Sequence, residues 1–154
     1  MDVTTILKKY PKRRDSVIEI LHEIQNHDPQ NYLSEESLKK VATHINLPLA
    51  QIYGIVGYYS MLSLNPRKKF VIQVCKSPIC GMLGSQSIYD AVKVKISARP
   101  DSANLFTIEK VECLGQCNQS PCMMINKEIY GNLTPQKIES IIEEIVISEQ
   151  NAQK

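Results

Sequence analysis

The chain has 154 residues, of which 43% are hydrophobic and 22% charged, a composition typical of globular domains and not of disordered or fibrous chains. Its 18 Lys and Arg and 16 Asp and Glu side chains leave a formal net charge of +2, too small to indicate nucleic-acid binding. Neither a signal peptide nor the roughly 20 consecutive apolar residues of a spanning helix is visible. We therefore expect a cytoplasmic protein with no nucleic-acid partner and no direct membrane insertion.

The first half of the sequence has the periodicity of a small helical bundle. Apolar residues at helical spacing predict helices over residues 4–10, 17–24 and 38–45, and a further helix that carries Ile52, Ile55 and Val56. Ser34 suits the N-cap of the third of these helices, and Pro48 suits the first turn of the fourth. The segment 65–68 is the natural linker to the second half of the chain.

From Lys69 the pattern changes to that of a compact α/β unit. A β-branched run over 70–74 predicts a strand that ends directly on Cys75. The elements predicted after it are a helix over 85–96, a strand over 105–111, a hairpin over 123–125 and 128–130, and a last helix over 135–145. The predicted fold class is α+β, with a helical bundle over residues 1–68 and an α/β domain over residues 69–154.

Four of the five cysteines form two close pairs. Cys75 and Cys80 have four residues between them, and Cys113 and Cys117 have three. Each pair follows a predicted strand, so two strand-end loops of one sheet can present four thiolates to a common point. Thiolates select zinc, iron–sulfur clusters or Cu(I) over hard cations. The spacing therefore predicts a metal centre.

Several residues near the pairs favour tight loops, namely Pro78, Gly81, Gly115 and Pro121. Backbone N–H groups in such loops can point at sulfur, which raises the reduction potential of an iron–sulfur site. A structural zinc site, a catalytic dithiol and plain buried thiols are the alternatives. The fifth cysteine, Cys122, could replace Cys117 as a ligand, but its place at the start of a predicted strand favours a buried thiol near the site.

The cysteine segments 75–81 (CKSPICG) and 112–117 (ECLGQC), followed by Ser120 and Pro121, resemble those of the thioredoxin-like 2Fe-2S ferredoxins. The whole chain is similar to the small iron–sulfur subunit of NADH-quinone oxidoreductase, its E subunit, and to the small subunit of NAD(P)-linked hydrogenases and formate dehydrogenases. Further points of resemblance are Tyr10 and Pro11, Gln25, residues 33–36, Leu47 and Pro48, Tyr58 and Tyr59, and residues 133–135. The departures are Tyr58, where relatives often have Phe, and Cys122, where they commonly have a small apolar residue.

The resemblance implies a thioredoxin-like domain after the helical bundle. It assigns one 2Fe-2S cluster to the ligands Cys75, Cys80, Cys113 and Cys117. It also implies a non-catalytic electron-transfer subunit whose partners are a flavoprotein subunit that binds FMN and NAD(P) and further iron–sulfur or hydrogenase subunits. The sequence agrees, because it contains neither a dinucleotide fingerprint nor a phosphate-binding loop, and no residue stands out as catalytic.

Overall fold

The computed structural model describes residues 2–152. It forms two compact units, the first ending at Arg67 and the second beginning at Lys68, and each unit has its own hydrophobic core. Within the described residues, no helix is long and apolar enough to cross a membrane.

The first unit is a bundle of α-helices. Its helices are α1 (Val3–Leu7), α2 (Val17–His27), α3 (Glu35–Ile45) and α4 (Leu49–Tyr58), with a 3₁₀ turn (Arg14–Ser16) before α2. Helix α3 begins where its cap predicts, because the Ser34 hydroxyl accepts a hydrogen bond of 3.2 Å from the backbone N–H of Ser37. The bundle core includes Ile20, Leu21 and Leu38, which are fully buried.

The second unit alternates strands and helices around one sheet. Its elements are β1 (Phe70–Cys75), α5 (Pro78–Met82), α6 (Ser85–Ser97), α7 (Pro100–Ala103), β2 (Phe106–Val111), a 3₁₀ turn (Cys117–Gln119), β3 (Met123–Ile125), β4 (Glu128–Tyr130) and α8 (Pro135–Ala152). The strand order is β2-β1-β3-β4. Strand β1 is parallel to β2 and antiparallel to β3, and β3 is antiparallel to β4.

This topology brings three chain segments to one edge of the sheet. Strands β1 and β2 are parallel and end together, with Cys75 opposite Val111, so the segments after them leave from the same edge. Strand β3 is antiparallel to β1 and therefore begins at that edge, with Met123 opposite Val74. The segments that carry all five cysteines consequently start or end at this edge.

The α+β fold class is confirmed, and several details differ from the sequence-based expectation. The leading helix ends at Leu7, short of Tyr10. Pro48 precedes α4 at its N-cap position and does not lie within its first turn. Pro78 and Gly81 lie in the short helix α5, not in a loop, because Ser77 is extended and Pro78 has the fixed φ that suits the first helical position.

Candidate metal centre

Three of the five cysteines are buried at the edge where β1 ends. Cys75 is the last residue of β1, Cys80 lies in α5, and Cys122 immediately precedes β3. Each is only 1% exposed, and Leu114 packs against the group. The sulfur atoms of the three residues all lie within 4.8 Å of one another, and those of Cys80 and Cys122 are 3.7 Å apart.

The other two cysteines form a separate, exposed pair on the segment that follows β2. The sulfur atoms of Cys113 and Cys117 are 3.8 Å apart. Gly115 lies between them with a φ of +78°, a conformation that favours glycine. In this conformation its backbone N–H donates a hydrogen bond of 3.3 Å to the Cys113 sulfur. The loop therefore combines two closely spaced sulfur atoms with a donor directed at one of them.

Two hydroxyl groups contact the buried sulfurs. The Cys75 thiol donates a hydrogen bond of 3.3 Å to the Ser77 hydroxyl oxygen, and the Ser120 hydroxyl lies 3.3 Å from the Cys80 sulfur. When such a sulfur is ionised, the hydroxyl becomes the donor and stabilises the negative charge, and this is one of the ways in which proteins tune the reduction potential of an iron–sulfur site.

The pKa values of the thiols diverge with their surroundings. Burial opposes the ionisation of Cys75, but donors from Ser77 and the backbone of Leu114 outweigh it and hold the pKa of Cys75 below its usual value. The neighbouring sulfur of Cys113 raises the pKa of Cys117. Burial, followed by the hydrogen bond to Cys80, raises the pKa of Cys122 to about 12. In the metal-free chain Cys122 is therefore a neutral thiol.

Charged and apolar side chains surround the cysteines. Lys76 follows Cys75, Glu112 precedes Cys113, and the two side chains form an exposed ion pair of 2.9 Å that joins the two segments. Around Cys80, the side chains of Ile79, Met82 and Leu83 are large, apolar and 48%, 88% and 55% exposed, respectively. Apolar surface of this kind is typical of a contact site for another protein.

The donor set fits a soft metal centre. Both sulfur pairs have the short separations that ligands of one metal ion require, and both belong to segments at the same edge of the sheet. As the sequence predicted, Cys122 is a buried thiol in this region, and its sulfur adjoins that of Cys80. This contact with Cys80 follows from the pairing of β1 with β3, which places the residue before β3 beside the end of β1.

A sheet edge that gathers soft thiolate ligands is typical of metalloproteins that hold zinc or an iron–sulfur cluster. Comparison with known families distinguishes the two. The model of the thioredoxin-like [2Fe-2S] ferredoxin family matches residues 3–146, and the chain belongs to this family. Its cofactor is therefore a [2Fe-2S] cluster, and its function is one-electron transfer.

The relatives belong to oxidoreductase complexes. Over 148 residues the chain is 30% identical to the HndA subunit of the NADP-reducing hydrogenase of Solidesulfovibrio fructosivorans, covering 93% of this chain and 84% of the relative. Over 124 residues it is 34% identical to the E subunit of the NADH-quinone oxidoreductase of Aquifex aeolicus, covering 79% and 76%. The corresponding protein of Mycobacterium tuberculosis is 26% identical, and the chain spans 58% of its length.

A solved structure supports the fold. The NAD⁺-reducing [NiFe]-hydrogenase in its H₂-reduced state superposes with a TM-score of 0.68 over 88% of this chain and 23% of the hydrogenase chain, at 17% identity. At this identity the likeness shows the fold alone.

Proposed function

We propose that Cys75, Cys80, Cys113 and Cys117 ligate the [2Fe-2S] cluster and that the chain exchanges single electrons with a flavoprotein subunit that binds FMN and NAD(P). The observation that carries the proposal is the convergence of both cysteine pairs on one edge of the sheet. The identities of the relatives support membership of a cytoplasmic dehydrogenase or hydrogenase assembly, with further iron–sulfur or hydrogenase subunits as partners.

Each cysteine pair is assigned to one iron. Cys113 and Cys117 have sulfur atoms 3.8 Å apart on one loop, and those of Cys75 and Cys80 lie within 4.8 Å of each other. The Ser77 hydroxyl and the Gly115 backbone N–H contact one sulfur of each pair. These contacts stabilise the electron-rich sulfur, so the chain's own donors favour the reduced state of the centre.

A [2Fe-2S] cluster supplies one-electron chemistry, whereas a hydride delivers two electrons to a flavin. The described residues contain no recognisable site for either nicotinamide or flavin, so we assign both to the partner. The surface formed by Ile79, Met82 and Leu83 flanks Cys80, and a partner that covers it brings its own redox centre close to the ligands.

The ligand set is tested by composition and substitution. The purified chain is expected to be brown, with two irons and two acid-labile sulfides per chain and an electron paramagnetic resonance signal on reduction. Cys113→Ala and Cys117→Ala are each expected to lose the signal, because no other thiol adjoins this pair among the described residues. The matched control, Cys122→Ala, is expected to keep both irons. Colourless protein with one zinc per chain would support a structural zinc module instead.

The partner is tested by isolating the native assembly. A subunit that carries FMN and oxidises NADH or NADPH is expected to co-purify with the chain, while the flavin-free chain alone is expected to be inactive with either nucleotide. Robust NAD(P)H oxidation by the isolated chain would contradict this assignment.

A further inference from the structure

Cys122 forms a potential ligand position that the four-cysteine assignment leaves unused. We propose that Cys122 is a reserve ligand: when the Cys80 sulfur is absent, the Cys122 sulfur takes its place on the iron that Cys75 also holds. The inference rests on the ligand set proposed above and adds a second sulfur for one of its positions.

The sheet fixes Cys122 beside the ligand site. The backbone N–H of Cys75 donates a hydrogen bond of 3.2 Å to the carbonyl of Cys122, and the next residue, Met123, lies opposite Val74 in the β1–β3 ladder. The backbone of Cys122 is therefore held next to that of Cys75 by regular strand pairing. Its side chain reaches the site without any rearrangement of the sheet.

The distances identify which ligand Cys122 can replace. Its sulfur lies 3.7 Å from that of Cys80, and Cys75, Cys80 and Cys122 form the one group of three sulfurs within 4.8 Å found among residues 2–152. Cys117 has its close sulfur neighbour in Cys113. The sequence left open that Cys122 replaces Cys117, whereas the structure places the Cys122 sulfur beside that of Cys80.

The burial of Cys80 and Cys122 favours the replacement of one sulfur by the other, because little movement is needed. Cys80 and Cys122 are each 1% exposed, so removing the Cys80 sulfur leaves a small buried space next to the Cys122 sulfur. In that variant the Cys122 thiol would lose its proton to solvent and its sulfur would take the iron position that Cys80 held. The number of thiolate ligands, the charge and the electron count would then be unchanged. A thiol that coordinates a metal ion deprotonates, so the neutral state of Cys122 in the metal-free chain does not prevent this.

The test compares Cys80→Ala with Cys80→Ala/Cys122→Ala in the full-length chain, each reconstituted anaerobically with ferrous iron and sulfide. We expect the single variant to retain at least about ten times as much cluster as the double variant. Mutation of residues that only support a metal ligand typically lowers metal affinity 10–100-fold, and the loss of a ligand costs at least as much. The paramagnetic resonance g-values and visible circular dichroism of the single variant are expected to differ from those of the unsubstituted chain, since a different cysteine holds the iron.

The matched control is the pair Cys117→Ala and Cys117→Ala/Cys122→Ala, in which we expect both variants to lose the cluster equally. If Cys80→Ala does not fold, Cys80→Ser is compared with Cys80→Ser/Cys122→Ala by g-values, because the serine oxygen could itself bind iron; we expect the g-values to change when Cys122 is removed, and identical g-values would overturn the inference. The introduced hydroxyl can form a hydrogen bond with the Ser120 hydroxyl, which lies 3.3 Å from the Cys80 sulfur in the unsubstituted chain.

Equal cluster content in Cys80→Ala and Cys80→Ala/Cys122→Ala would overturn the inference. The failure of the proposed function would be recognised separately, by a cluster-free unsubstituted chain or by a Cys117→Ala variant that keeps its cluster.

Discussion

Gly131 packs closely against the segment that carries Cys117. A Cβ atom at Gly131 would lie 2.5 Å from the Cβ and 2.9 Å from the carbonyl oxygen of Gln119. The next backbone N–H, that of Asn132, donates a 2.6 Å hydrogen bond to the same carbonyl, so the two segments cannot separate freely. We expect Gly131→Ala to lower the free energy of unfolding by about 1–3 kcal/mol and to reduce cluster retention. Urea unfolding and iron content measure the two effects.

The control for this substitution is Gly57→Ala. Gly57 is exposed in α4, and a Cβ there meets nothing within 4 Å. Because alanine favours helix more than glycine does, we expect this variant to be unchanged or more stable by up to about 1 kcal/mol. Similar destabilisation by both substitutions would show that the contact with Gln119 is not the reason for glycine at position 131.

Glu23 gives the first unit a pH-dependent contribution to stability. Hydrogen bonds from Lys9 and Tyr10 lower the pKa of Glu23, with the Tyr10 hydroxyl 2.6 Å from the carboxylate. A carboxyl group whose pKa is lowered on folding stabilises the folded state above its unfolded pKa and loses this effect as the pH falls through its folded pKa. We therefore expect Glu23→Gln to lower the midpoint of thermal unfolding at neutral pH.

This difference between Glu23→Gln and the unsubstituted chain is expected to shrink as the pH falls from the unfolded-state pKa of about 4 through the lower folded-state pKa of Glu23, below which the carboxyl group is protonated in both states. Thermal unfolding followed by circular dichroism across this range provides the measurement. A difference that does not change with pH would assign the effect to packing and not to charge. The same contact raises the pKa of Tyr10 to about 12.

At the level of single residues, sequence reasoning identified the cysteine pairs but not their environments. Spacing shows that Cys113 and Cys117 can approach each other, as they do at 3.8 Å. The contact between Cys80 and Cys122 joins residues 42 positions apart, and it depends on the antiparallel pairing of β1 with β3. Periodicity within a segment contains no information about such a pairing.

At the level of elements, helix α8 stabilises the second unit through its apolar face. Ile142 is completely buried in the core of that unit, whereas Ile147 on the same helix is 54% exposed. We expect Ile142→Ala to lower the free energy of unfolding by about 2–5 kcal/mol, since it removes buried methyl groups and leaves a cavity. Denaturant unfolding of the full chain provides the measurement.

Ile147→Ala is the matched control on α8. It removes the same atoms from an exposed position, so we expect a change within about 0.5 kcal/mol. The cluster spectrum of both folded variants is expected to be unchanged, because neither residue adjoins a cysteine in the sequence or belongs to the cysteine group. A loss of stability as large as that of Ile142→Ala would contradict the assignment of the buried face.

The sequence predicted well those elements that are long enough to show apolar periodicity or that begin or end at a recognisable cap or turn. Ser34 caps α3 as expected, and the hairpin occupies Met123–Ile125 and Glu128–Tyr130, the residues predicted. The missed helix α5 has only five residues, which is too short for an apolar period to be visible. Its proline and glycine are also residues that ordinarily indicate turns.

At the level of the whole molecule, the segments that carry the two cysteine pairs expose side chains of opposite charge. Lys76 and Glu112 are exposed and paired at 2.9 Å, so the pair contributes little to stability. We expect Lys76→Glu to leave the cluster spectrum intact and to slow electron transfer from the proposed flavoprotein partner, reduced by NAD(P)H, by about tenfold at low salt. The effect is expected to weaken as added salt screens the charges. Stopped-flow bleaching of the cluster measures the rate.

Two controls separate docking from local distortion. Lys127→Glu makes the same change of charge on an exposed residue at the hairpin turn, the far end of β3 from Cys122, and we expect its transfer rate to be unchanged. The exchanged pair, Lys76→Glu with Glu112→Lys, restores an ion pair between the ligand segments but exchanges the positions of its charges. If the partner recognises the position of each charge, electron transfer to this variant stays slow. A fast rate would mean that Lys76→Glu acted by disturbing the segments that carry the cysteines. An unchanged rate in Lys76→Glu itself would place the partner on another face of the protein.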